Sequence, residues 1–159
     1  MSMSAVAVAL ASNLLKIDRS KPFDPVAFIG GGWSIDEQDE RALGLTEIDL
    51  NRVTFETALR SGEEWITGEE NLRRLKEAGH IRLDVRVFQI LWKNQSLIPE
   101  SWKSRGYICF YGTILRYSSR DRCVLHLSWR GGRQDWYWDS SWIGGNVGGA
   151  RNPSACLPS

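Results

Sequence analysis

At 159 residues, with 42% hydrophobic and 25% charged side chains, the chain has ordinary globular composition, which excludes wholesale disorder. Three Cys with no C-x-x-C pair exclude a disulfide framework or a zinc site of the usual spacing. No apolar run approaches the ~20 residues of a membrane span, so a cytoplasmic, reducing setting without a membrane partner is expected. The net charge of +1 is unevenly placed, at −4 over residues 1–100 and +5 over residues 101–159. Two parts that attract each other explain that asymmetry; an anionic partner for the basic part is the alternative.

The apolar opening Met1–Leu15 has no basic leader, so it reads as a helix over residues 4–16 rather than a signal peptide. Pro22 and Pro25 end it. Gly30-Gly31-Gly32 lacks both common phosphate-loop patterns and reads as a turn. Ser34-Ile35-Asp36-Glu37 has capping-box spacing and predicts a helix to Leu43 or Leu45. Asp36, Glu37, Asp39 and Glu40 would then complement its dipole. As an acid/base pair or metal cluster they offer a second reading.

Asp49-Leu50-Asn51 reads as a cap or turn before a helical segment Val53–Leu59, stopped by Ser61-Gly62. Thr67-Gly68-Glu69-Glu70 repeats the capping box, with Leu72 and Leu75 on one face and Gly79 as the stop. His80–Leu83 is short and extended. Asp84 caps a further helix whose stripe is Phe88, Leu91 and Trp92.

Residues 107–138 carry three aromatic-rich runs, YICFYGTILRY, RCVLHLSWR and QDWYW, separated by two turn signals. If Tyr117 faces Arg122 and Arg130 faces Arg133 across Gly131-Gly132, a meander results. Ile108, Phe110, Ile114, Leu125, Leu127, Trp129, Trp136 and Trp138 then share one face. Tyr107, Cys109, Tyr111, Thr113, Leu115, Val124, His126, Ser128, Asp135 and Tyr137 share the other. This pairing keeps Cys109 and Cys123 apart.

These elements predict an α+β fold in one domain, residues 1–159. A helical N-terminal part (about 4–97) packs on a C-terminal antiparallel β-meander of three or four strands (about 106–143). An irregular tail follows over 144–159. Leu72, Leu75, Phe88, Leu91 or Trp92 would cover the Trp-bearing face.

For function, the polar aromatic face points to a non-enzymatic binding or interaction module, with Tyr111, His126, Arg130 and Tyr137 as its candidate residues. A protein or peptide partner fits such a face, and no cofactor or metal is called for. Nucleic acid binding through the basic C-terminal part is the first alternative, although no RNP-like motif is present. A small enzyme using His126, with Cys109 or Ser128 as nucleophile, or the acidic residues after Ser34, is the second.

The stretches KIDRSKPFDPVAFIGGGWSIDEQDERALGLTEIDL, GEENLRRLKEAGHIRLD, LIPESWK and GTILRYSSRDRCVLHLSW resemble a group of uncharacterised bacterial hypothetical proteins of similar length. The resemblance spans most of residues 16–155 and departs after Trp136, where this chain is richer in glycine. It implies no activity, and no site residue is carried over from it.

Overall fold

The structure, a computed structural model, describes residues 13–118 and 120–159. Most of the fold is sheet, and this overturns the expected helical N-terminal part. The helix expected over 4–16 lies largely outside the described residues. Its last turn is instead strand β1, Leu14–Lys16, paired antiparallel with β3, Glu47–Asp49. Trp33–Gln38 is strand β2, so Ser34 caps no helix. The four-residue helix α2, Glu40–Leu43, is capped instead by Asp39. Thr54–Glu56 is strand β4 rather than part of a helix. In each case a tertiary partner outweighs a weak local helix preference.

Two helices form where their caps predict. The short helix α1, Pro25–Phe28, precedes them. Helix α3, Gly68–Ala78, starts at Thr67, whose hydroxyl accepts from the Glu70 amide at 3.1 Å. It stops at Gly79, which takes the left-handed φ of 80° that favours glycine. Helix α4, Val85–Lys93, is capped by the Asp84 carboxylate.

The main sheet has eight strands and is mixed. At its centre lies β9, Asp121–Arg130, with β10, Asp135–Trp142, along one edge. Its other edge is shared by β8, Thr113–Tyr117, and β7, Ile108–Cys109. The expected single strand over 107–117 is therefore broken. At the break, Gly112 donates to the Leu83 carbonyl at 2.8 Å, and a Cβ there would lie 2.3 Å from the Arg82 carbonyl oxygen. Only glycine lets the two backbones pass so closely.

Both hairpin registers differ from expectation, with unequal consequences. Tyr117 pairs with Asp121 rather than Arg122, because Ser118 adopts a left-handed φ of 51° and shortens the loop. This one-residue slip turns β8 over, placing Leu115 rather than Ile114 beside Leu125 and Leu127. At the second turn Arg130 pairs with Asp135 rather than Arg133, and the left-handed position falls on Gln134, not on Gly131 or Gly132. That slip is even, so every side chain of β10 keeps its predicted face.

The tail expected to be irregular contributes β11, Gly148–Gly149, and β12, Ser154–Leu157. β11 pairs with β5, Trp65–Ile66. β12 is an interior strand that pairs with β4, with β6 (Ile81–Arg82) and in parallel with β7. Ser154, Ala155 and Cys156 are fully buried, so the C-terminal segment is structural rather than a surface loop.

A helix covers each face of this sheet. On one side Val87, Phe88 and Leu91 of α4 meet Ile108, Phe110, Leu115, Leu125, Leu127 and Trp136. On the other, Leu72 and Leu75 of α3 meet Cys109, Tyr111, Ile114, Val124 and Cys156. Leu72 and Leu75 thus cover the face opposite to the one expected of them. Trp129 and Trp136 are cross-strand partners with ring centroids 5.4 Å apart, on the α4 side as the alternation predicts.

Candidate functional site

Period-2 alternation along β9 and β10 places His126, Ser128, Asp135, Tyr137 and Asp139 on the α3 side of the sheet. Tyr107, just before β7, joins them through its ring, which meets His126 edge-on at 5.2 Å. α3 covers the half of this face around Tyr111 and Val124 but not the half bearing Tyr107 and Tyr137, which are 45% and 39% exposed.

The exposed half is a connected polar surface. The Arg130 guanidinium donates to both carboxylate oxygens of Asp135, each at 2.8 Å, and lies over the Tyr137 ring at 4.6 Å. The Tyr137 hydroxyl donates to Asp139 at 3.4 Å. Asp139 pairs across the strands with His126, and His126 pairs on its other edge with Cys109. Asp139 is exposed and forms no ion pair among the described residues. His126 is 8% exposed, and burial lowers its pKa while Asp139 opposes that shift, so the imidazole is neutral at pH 7.

Of the four candidate residues, His126, Arg130 and Tyr137 come together here. Tyr111 does not. It is 0% exposed beneath α3, and burial raises its phenol pKa well above the usual range. Its removal from the surface follows from the chain break at Gly112, where α3 and the β6 segment close over it. Sequence reasoning missed Asp139, although the Asp135, Tyr137, Asp139 spacing extends the same alternation by one step. It also gave Tyr111 the place that Tyr107 holds.

Cys109 faces His126 across β7 and β9, but its thiol is buried against the α3 cluster and burial pushes its pKa up to about 12. It is therefore a thiol, not a thiolate, at neutral pH. Three of the four acidic residues after Ser34, Asp36, Glu37 and Asp39, are bound in ion pairs. Asp36 sits at a bulge of β2 and meets Arg116 at 2.9 Å and Arg122 at 2.5 Å. Glu37 meets Arg122 and Lys76. Asp39 is buried against Arg82. Among the described residues no three His, Cys, Asp or Glu side chains converge as metal ligands do, and no helix is long and apolar enough to cross a membrane.

A cleft of about 250 Å³ between Phe23, Ile35, Leu43 and Gln38 is closed on one side by Arg19 and Asp84. Their charges satisfy each other at 2.7 Å, and Arg19 also donates to the Ala42 and Leu45 carbonyls.

No family model, curated protein or solved structure matches the chain.

Proposed function

We propose that this protein is a non-enzymatic binding module that engages a peptide or protein segment through the exposed polar aromatic half of its central sheet. The carrying observation is that Tyr107 and Tyr137 stand exposed on either side of His126, with Asp139 beside them and without an ion-pair partner among the described residues. Tyr rings give large contact area at small entropic cost, and their hydroxyls keep such a surface wettable. Asp139 offers a carboxylate to a basic partner side chain. Arg130, already held by Asp135 and stacked on Tyr137, keeps that ring in place.

The test is selection of binding peptides from a random library, followed by titration of the protein with a selected peptide. Tyr107→Ala combined with Tyr137→Ala is expected to weaken binding by at least about tenfold, since anchors of this kind contribute about 1.4 kcal/mol or more. Unchanged affinity in a folded double variant removes the proposal.

A further inference from the structure

We propose a second site, on the opposite side of the sheet, that binds a phosphate group: a recess of about 350 Å³ lined by Lys103, Ser104, Arg105, Gly106, Trp129, Ala150 and Arg151. Three cations and no carboxylate line it. No side chain of Tyr107, His126 or Tyr137 lines the recess, and it stands or falls separately from the peptide-binding face.

Two backbone segments that the fold clamps together build this recess. The Tyr107 amide donates to the Arg151 carbonyl at 2.8 Å, and Gly106, with φ of 83°, passes so close that a Cβ would lie 2.4 Å from the same oxygen. Arg105 and Arg151 thus leave neighbouring backbones at one end of the β7–β12 pair. Two of the cations are held in place by aromatic rings. Lys103 lies over Trp129 at 3.9 Å, and the Arg105 guanidinium lies over Phe55 at 4.7 Å, itself packed edge-on against the buried Trp102.

The charge is also uncompensated. Arg19, Arg41, Arg73, Arg74, Arg82 and Arg122 each reach a carboxylate, whereas among the described residues neither Arg105 nor Arg151 does. Lys103 is shared with Glu100 at 3.0 Å, which leaves a net charge near +2. A small, preorganised cluster of two guanidinium groups and an ammonium matches a multiply charged tetrahedral oxyanion. It is also where the excess positive charge of residues 101–159 becomes a defined concavity.

The phosphate can belong to a free small molecule or to a polynucleotide backbone, and the experiment separates the two. Calorimetric titration of the intact protein with inorganic pyrophosphate at low salt is expected to show one saturable site. Arg105→Gln and Arg151→Gln should each weaken it about tenfold, and Arg73→Gln, on α3 at the other face of the sheet, should leave it unchanged. Both lining arginines are exposed, and unaltered melting temperatures of the variants verify that they fold.

Pyrophosphate binding that the two lining variants weaken supports the site with a free phosphate ligand. Binding of an oligothymidylate alone, weakened by the same variants and by salt, supports it with a polynucleotide ligand. If neither probe binds the wild type, or both lining variants bind as well as the wild type, the proposal is overturned.

Discussion

His126 and Asp139 are cross-strand partners at the middle of the long β9–β10 hairpin, yet the imidazole is nearly buried and its Nδ1 has no hydrogen-bond partner among the described residues. The carboxylate alongside favours protonation, but burial opposes it more strongly. The histidine is therefore held neutral in the native state.

Stability should accordingly fall on mild acidification. The unfolded chain binds a proton at the ordinary histidine pKa of about 6.5, while the folded chain resists it to lower pH. The contribution of His126 is thus fully present above about pH 6.5 and is lost as pH falls toward the lowered folded value. For one group the slope cannot exceed about 1.4 kcal/mol per pH unit. Urea unfolding followed from pH 7.5 to 5 should show this decline in the wild type and a flatter profile in His126→Gln. Glu63 and Glu70, whose arginine partners lower their pKa values to about 2, act only at more acidic pH.

Trp136 and Trp129 pair on the α4 side but differ in burial, with Trp136 inside and Trp129 partly exposed under Lys103. Trp136→Ala should cost about 3–5 kcal/mol, and Trp129→Ala roughly half as much. Denaturant midpoints of the two variants check the order.

Asp39 caps α2 and is also the counter-ion of buried Arg82, whose amide donates to it at 3.0 Å. Asp39→Ala leaves a buried guanidinium without its carboxylate and should destabilise by about 3–5 kcal/mol. The thermal shift should far exceed that of Glu40→Ala, at the neighbouring exposed acid.

Arg122 ties three carboxylates, Asp36, Glu37 and Glu69, from β2 and α3 to the central strand. Arg122→Gln should destabilise by about 1–2 kcal/mol. Part of that loss should disappear when salt is raised from about 0.05 M to about 0.5 M, because screening relieves the repulsion left among the acids. Unfolding curves at the two salt levels measure it.

Local chemistry that acts within one turn was legible in the sequence. The Thr67 cap, the Gly79 stop and the Asp84 cap each depend on neighbours two or three residues away, and each forms. The faces of β9 and β10 were legible too, because an even error in the loop leaves a period-2 pattern unchanged. Ser34 fails for the opposite reason: its capping box competes with Arg116 and Arg122, which lie about eighty positions away and draw the acids into a strand. Tyr111 fails because the break at Gly112 depends on residues 82–83, which lie about thirty positions away. β12 escaped notice because a short Ser-Ala-Cys-Leu run shows little alternation, and its burial comes from strands gathered across the whole chain. In the candidate site, alternation alone placed His126, Arg130 and Tyr137, whereas the exposure of Tyr107 and burial of Tyr111 required the position of α3.

The four tyrosines are natural reporters of the proposed face, since Tyr107 and Tyr137 stand on it, Tyr111 lies under α3, and Tyr117 packs against Trp33 at the other end of the sheet. The decisive measurement is the ring 1H–13C spectrum of tyrosine-labelled protein during titration with a selected peptide. Shifts of Tyr107 and Tyr137 with Tyr111 and Tyr117 unmoved are the predicted result. Movement of Tyr117 alone, or of no tyrosine while the peptide binds, would contradict the account.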